Sequence, residues 1–157
     1  MSMENLGFPR IYSFKKDLFM FVNILKNGIK INKLYIDVPY KSYFIQILEF
    51  LIDYGYIYKY EILVLDLKKR NMLKNTSQYR YLRIYLKYWK QTSIIHFIKH
   101  PGSSIKNLNI FANYCILKQM VLKTRLIIVS TSYGIKAFTS HNIHRYTYGG
   151  VILLLIS

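Results

Sequence analysis

Residues Tyr79–Trp89 read Y-R-Y-L-R-I-Y-L-K-Y-W. Side chains of an extended chain point alternately to its two faces. Leu82, Ile84, Leu86 and Tyr88 therefore fall on one side, and Tyr81, Arg83, Tyr85, Lys87 and Trp89 on the other. The pattern predicts a strand with one face in a core. Its outer row interleaves rings with cations, which suits stacking on bases and pairing with phosphates. On a half-buried sheet face tyrosines also pack against their neighbours, and packing is the plainer reading for this strand.

Toward the N-terminus, the polar and basic Asp66–Ser77 (D-L-K-K-R-N-M-L-K-N-T-S) reads as a hairpin loop leading back to a strand at Tyr56–Leu65. Gly55 supplies the left-handed residue that ends a helix running from an N-cap at Ser42 to Tyr54. Phe44, Ile47, Leu48 and Leu51 of that helix face a core. Pro39 ends a strand at Lys33–Val38. Before it, Asp17–Ile31 is predicted helical, with Leu18, Phe21, Val22, Leu25 and Ile29 on one face and Gly28 as a point of fraying or capping.

Toward the C-terminus the pattern predicts a strand at Ser93–Lys99, a Pro101-Gly102 turn and a segment of unclear period from Ile105 to Arg125. An apolar strand Leu126–Val129 and a turn at Ser130–Gly134 follow. A short polar stretch capped by Thr139 or Ser140 leads to Gly149-Gly150 and a last strand, Val151–Ile156. The fold class is α+β, in two small α/β-type domains. Residues 1–91 form a helix-strand-helix-strand-strand unit, and residues 92–157 are mostly β with a short helix. There is no internal repeat.

Charge is distributed unevenly along the 157 residues. All seven carboxylates (Glu4, Asp17, Asp37, Glu49, Asp53, Glu61, Asp66) precede Leu67, and 15 of the 23 Lys and Arg follow it. The acid-free stretch needs a polyanion to offset its field: nucleic acid or an anionic membrane. With 52% hydrophobic and 17% aromatic residues the charge sits on a folded scaffold, not on a disordered arm. The near-neutral front is expected to face protein neighbours.

Cys115 stands alone, which excludes an intrachain disulfide and a thiolate cage; it reads as a small buried apolar residue. The longest uncharged runs, Tyr146–Ser157 and Asn107–Leu117, are short of the roughly 18–20 residues that span hydrocarbon. The opening M-S-M-E-N-L-G-F-P-R does not read as a targeting peptide, so the expectation is either synthesis at the place of work or a targeting segment absent from this chain. Ile, Lys, Tyr, Leu, Phe and Asn dominate, and Ala occurs only at Ala112 and Ala137. That bias fits AT-rich organellar coding, and the expected location is the mitochondrial matrix.

Four histidines, His96, His100, His141 and His144, offer nitrogen ligands, and His141 and His144 have helical i, i+3 spacing. No carboxylate or second Cys lies near to complete a metal shell, so RNA contact or solvated surface explains them better. Catalysis is not expected. The acids are scattered over separate elements, and no phosphate loop, zinc-protease or nucleophile-elbow motif is present. The Ser130-Thr131-Ser132 cluster has no Asp after it to orient a histidine. Three hydroxyls followed by glycine at a strand end instead suit close approach to a sugar-phosphate chain and base edges.

V-S-T-S-Y-G (Val129–Gly134), then Gly149-Gly150 and a terminal apolar strand, resembles the C-terminal signature of the small ribosomal subunit protein eight family, Ser-Thr-Ser-Lys-Gly followed by Gly-x-Gly-Gly-Glu. The likeness continues through Leu25-Lys26-Asn27, Asp37-Val38-Pro39, Tyr54-Gly55-Tyr56-Ile57, Tyr81–Tyr88 and the Lys99-His100-Pro101-Gly102 turn. Departures are Tyr133 in place of Lys, Val151 in place of Glu, a longer Ile105–Arg125 segment and a small insertion before Thr139.

The resemblance implies a non-enzymatic ribosomal protein that binds the central domain of small-subunit ribosomal RNA and packs against neighbouring ribosomal proteins. It calls for no cofactor, metal, membrane or second copy. Under it, Ser130, Thr131, Ser132 and Gly134 read RNA shape, Tyr133 stacks, and Lys136 and Arg145 hold phosphates. Lys99, His100 and Gly102 of one turn, with Lys41 and Ser42, clamp flanking backbone. Lys26, Asn27, Thr139, Gly149 and Gly150 complete the expected RNA-binding set. The competing expectations are a peripheral protein on anionic lipid with Val151–Ile156 inserted, and a free-standing RNA chaperone. No long amphipathic helix supports the lipid reading.

Overall fold

The structure is a computed structural model in which the described residues are 11–67, 77–101 and 111–157. The core of the expected hairpin loop (68–76), Gly102 and the start of the Ile105–Arg125 segment lie outside them. The described residues form an α+β chain of three α-helices and antiparallel sheets. Two compact units emerge, Ile24–His96, and Phe97–Ser157 with the residues up to Asn23.

The first helix, α1 (Ile11–Lys30), begins six residues before the expected Asp17. Leu18, Phe21, Val22 and Leu25 are buried on its apolar face. In the Ile24–His96 unit it is followed by β1 (Tyr35–Pro39), α2 (Ser42–Asp53), β2 (Ile57–Leu67) and β3 (Ser77–Leu86). The sheet order is β1-β3-β2, antiparallel throughout. The stretch Tyr79–Leu86 thus becomes the central strand. Its inward row, Leu82, Ile84 and Leu86, is buried with Ile36 and Val38 of β1 and with Phe44, Ile47, Leu48 and Leu51 of α2. Each such side chain, taken from water, contributes roughly 1.5–3 kcal/mol.

Gly28 is a packing residue. A Cβ there would run into Ile36 of β1, with Leu86 Cδ1 3.5 Å away, so its absence lets α1 approach the sheet closely. Ser42 is the first residue of α2 and not its cap. Lys41 holds the cap position in extended conformation, without a side-chain capping bond. Gly55 does end the helix in the left-handed region at φ 76°. Its amide donates to Ile52 and that of Tyr56 to Leu51, both at 2.8 Å, which satisfies carbonyls the helix would otherwise leave open.

The expected strand Ser93–Lys99 is not continuous: Ser93 ends one short strand, and Ile98–Lys99 form another. Tyr88–Trp89 (β4) and Thr92–Ser93 (β5) form a tight hairpin, with Lys90 and Gln91 both at positive φ in its turn. Two consecutive left-handed residues without glycine or asparagine give little warning in the sequence. The Ile24–His96 unit extends past this turn, which lies at the expected domain boundary.

In the other unit, β6 (Ile98–Lys99), β7 (Phe111–Ala112), α3 (Tyr114–Lys123), β8 (Leu126–Thr131), β9 (Gly134–Phe138), a 3-10 turn at Ile143–Arg145 and β10 (Gly150–Ile156) follow in order. β10 pairs with β6, β7 and β8, and β8 pairs with β9. Leu126–Val129 and Ile152–Ile156 are buried on both faces, hence their unbroken apolar runs. One core joins Ile127, Val129, Phe138 and Ile152 to Leu117 and Val121 of α3 and to Ile143. Asn113 caps α3, its side-chain oxygen accepting from the Ile116 amide at 2.9 Å. Cys115, expected buried, is exposed: α3 turns Leu117 and Val121 inward, and Cys115 lies off that face.

Candidate nucleic-acid interface

The hydroxyl-rich turn is the tip of the β8–β9 hairpin. Ser130 pairs with Ile135 and Thr131 with Gly134, which leaves Ser132 and Tyr133 as the two turn residues. Gly134 is at φ 95°, a region that side-chain-bearing residues rarely occupy, and a Cβ there would meet open space. Backbone conformation and not crowding therefore selects glycine. The Thr131 hydroxyl accepts from the Tyr133 amide at 3.1 Å and donates to the Gly134 carbonyl at 2.8 Å. Thr131 thus builds the turn. Ser132 is exposed, and among the described residues its hydroxyl makes no hydrogen bond.

Tyr133 projects from the tip with 71% of its surface exposed. Its ring packs on Tyr148, 5.1 Å between centroids, and Tyr148 in turn packs on Tyr146 at 5.5 Å. Phe138, buried in the core, underlies both, 5.1 Å from Tyr146 and 6.4 Å from Tyr148. Burial pushes the Tyr148 phenol above its ordinary value, so it stays neutral at physiological pH. Lys136 is two residues before Phe138 on β9 and so shares the face on which these rings pack. Tyr146 and Tyr148 lie in a stretch without obvious period, and their part in this cluster had no signal beyond their being aromatic. β9 itself was also missed: G-I-K-A-F has the length of a strand but only a blurred alternation.

Gly149 and Gly150 serve the approach of backbones. A Cβ on Gly150 would strike the Ser130 carbonyl oxygen, and one on Gly149 would strike the Ala112 carbonyl oxygen. Thr139 is buried, and its carbonyl accepts from the amides of Asn142 and Ile143 at 3.2 and 3.0 Å. Asn142, unnoticed in the sequence, accepts from the Thr139 amide at 2.7 Å and donates to the Ala137 carbonyl at 2.9 Å. It thereby fixes the chain after β9 and sets the 3-10 turn that carries exposed Arg145.

Of the other expected residues, Lys99 pairs with Leu155 near the far end of β10 from Gly150. Five residues of strand, about 17 Å, separate the two positions. His100, expected at a surface, is buried. Its Nδ1 is 2.7 Å from the Leu153 carbonyl, which can only accept, so Nδ1 carries the proton. His96, His141 and His144 are exposed. Among the described residues no group of three or more His, Cys, Asp or Glu could hold a metal ion. No described helix is long and apolar enough to cross a membrane. In the Ile24–His96 unit, Lys26, Asn27 and Ser42 are exposed and Lys41 is half-buried.

Charge follows the fold differently from the sequence. Ile24–His96 contains 13 Lys and Arg against 5 acids, and the other unit 10 against 2, a net of +8 in each. The near-neutral front is therefore not a near-neutral unit, because Leu67–His96 adds eight Lys and Arg and no acid to it. On its sheet two acids, Asp37 and Glu61, are already engaged. Arg83 donates to both Asp37 oxygens, at 2.8 and 3.0 Å, and its guanidinium lies 4.3 Å from the Tyr35 ring centre. Lys59 and the Tyr85 hydroxyl both donate to Glu61, at 2.6 and 3.0 Å. The outer row of rings and cations on β3 is thus largely satisfied within its own sheet, as the packing reading expects.

Residues 18–156 match the family model described as Ribosomal protein S8. The chain is also 30% identical over 135 residues to the Small ribosomal subunit protein uS8c of Bigelowiella natans, covering 86% of this chain and 93% of the relative.

Proposed function

Since the chain belongs to the ribosomal protein S8 family and is a small-subunit ribosomal protein, we propose that it binds small-subunit ribosomal RNA directly, in the central domain, through the β8–β9 hairpin end. The observation that carries this reading is the hairpin tip. It presents a free Ser132 hydroxyl and an exposed Tyr133 ring within a stretch that has no carboxylate after Asp66. A hydroxyl that both donates and accepts suits a ribose or a base edge, and the absence of acids removes repulsion from phosphates.

Around the tip, Lys136 and Arg145 neutralise phosphate. Thr131, Gly134, Asn142 and the two glycines hold the shape that is presented. Lys99, on β6 beside the far end of β10, reaches more distant backbone. Lys26, Asn27, Lys41 and Ser42 of the N-terminal domain (1–91) contact flanking RNA, while the C-terminal domain (92–157) makes the primary contact. The role is structural and not catalytic, with neighbouring ribosomal proteins as further partners. The composition bias supports an organelle, the mitochondrial matrix.

The test is co-sedimentation with small subunits after a high-salt wash, with nuclease footprinting of the bound RNA. Retention with protection confined to the central domain is the expected result. Release by salt, or protection spread over the whole RNA, would reject specific binding.

A further inference from the structure

We propose that the outer face of the β1-β3-β2 sheet docks a neighbouring protein of the small subunit, one whose contacting surface is apolar and carries little net charge. The inference deepens the reading above at one point, the protein partners, and does not depend on what the hairpin tip binds. Strand register sets four rows of side chains on this face. Tyr35, Tyr85 and Lys59 make the first, and Asp37, Arg83 and Glu61 the second. Pro39, Tyr81 and Leu63 make the third, and Tyr79 with Leu65 the fourth. From Lys59 to Leu65 the grid is about 20 Å long. The buried row Leu82, Ile84 and Leu86 points to the opposite face, with α2. The outer rows stay open: Tyr35 is 44%, Tyr79 47% and Leu65 50% exposed, and Tyr81 and Leu63 are half-buried. Rings and aliphatic chains set contiguously over a sheet face mark an interaction site, where single exposed ones do not.

Charge decides the class of partner. The Ile24–His96 unit carries a net +8, yet the four charged side chains of this face cancel. Both cations are held within the face. Arg83 makes two hydrogen bonds to Asp37 and lies 4.3 Å from the Tyr35 ring centre, while Lys59 pairs with Glu61 and lies 4.6 Å from that of Tyr85. RNA or anionic lipid would be met by free cations, and a neutral row locked between tyrosines presents none. Tyrosine and arginine with few unpaired charges is instead the composition at the centre of a protein–protein interface. The Tyr35, Tyr79 and Tyr81 hydroxyls make no hydrogen bond among the described residues, so they can donate to acceptors on the partner.

The experiment replaces Tyr79, and separately Tyr35, by photoreactive benzoylphenylalanine in the full chain. Each is assembled into small subunits, which are purified and irradiated, and the adducts are identified by mass spectrometry. A third probe at Ser132 reports on the hairpin tip. The expected result is that both sheet probes join the same subunit protein and that nuclease leaves these adducts unchanged. Leu65→Lys with Tyr79→Lys then weakens binding of that protein roughly 30-fold or more, as loss of a central anchor does, without weakening RNA binding. An unchanged thermal midpoint in this variant shows that the loss is local. Sheet probes that join RNA, that join another part of this chain, or that join nothing overturn the proposal. If they join a protein while the Ser132 probe fails to join RNA, the docking face stands and the RNA-binding role of the tip falls.

Discussion

The Thr131 hydroxyl is hydrogen-bonded to the Gly134 carbonyl at 2.8 Å, and this contact closes the β8–β9 turn. A hydroxyl has one proton, so Thr131 has none left to offer RNA while the turn is closed. Its neighbour Ser132 is the reverse case, exposed and uncommitted. Thr131→Val is therefore expected to destabilise the fold by about 1 kcal/mol and to weaken binding to every RNA that uses the tip. Ser132→Ala is expected to change stability by less than about 0.5 kcal/mol and to weaken the central-domain segment more than random RNA. Urea denaturation with filter binding separates the two; equal losses of specific and random binding in Ser132→Ala would reject a readout role for it.

The glycine pair before β10 makes a second prediction. Added methyl groups at Gly149 and Gly150 would meet the carbonyl oxygens of Ala112 and Ser130, which are backbone atoms and cannot rotate away. Gly149→Ala and Gly150→Ala should each cost about 1–3 kcal/mol, as overpacking does. The loss of RNA affinity should then disappear once binding is corrected for the unfolded fraction. A variant that is fully folded yet fails to bind would instead make the glycines direct contacts.

Much of the architecture was legible because apolar period and breaker residues agree. Leu82, Ile84 and Leu86 gave β3 its face, and Gly55 gave the helix its end. What stayed hidden depends on contacts distant in the chain. Lys90 and Gln91 adopt left-handed backbone that their residue types do not announce. Gly28 resembled a cap and is a close contact with Ile36, a residue eight positions on. At the candidate site the tip Ser130–Gly134 stood out by composition. The brace of Tyr146 and Tyr148 did not, since single aromatics carry no period until a hairpin folds against them. His100 shows the opposite error: a polar residue read as surface has its ring buried and satisfied by one backbone carbonyl.

Cations in contact with phosphate are distinguished from cations occupied elsewhere by the salt dependence of binding. Lys136→Gln and Arg145→Gln should each lower the slope of log affinity against log salt by about 1 and weaken all RNA sequences alike. Lys59→Gln should leave the slope unchanged, because Lys59 is paired with Glu61 at 2.6 Å and lies 4.6 Å from the Tyr85 ring centre. Titrations over a range of potassium chloride concentrations give all three slopes. A slope that falls equally in Lys59→Gln would mean that the Ile24–His96 sheet face meets RNA as well.

The same Lys59–Glu61–Tyr85 group makes stability depend on pH in a defined direction. The hydrogen bond from Lys59, and after it that from the Tyr85 hydroxyl, holds the Glu61 carboxyl below its ordinary 4.5. A depressed carboxylate adds stability above its unfolded value and loses it as pH falls through the folded one. The hydrogen bond to Glu61 likewise raises Lys59 above 10.5 and Tyr85 above 10.0, and their share is complete below those values and lost as pH climbs past the folded ones. Glu61→Gln should therefore be less stable than wild type by a constant, small amount between about 5 and 10. That difference should shrink toward both extremes, and urea midpoints measured across the range should trace a plateau with two falling edges. A difference that stayed flat well below pH 4.5 would show that Glu61 acts through its packing and not its charge.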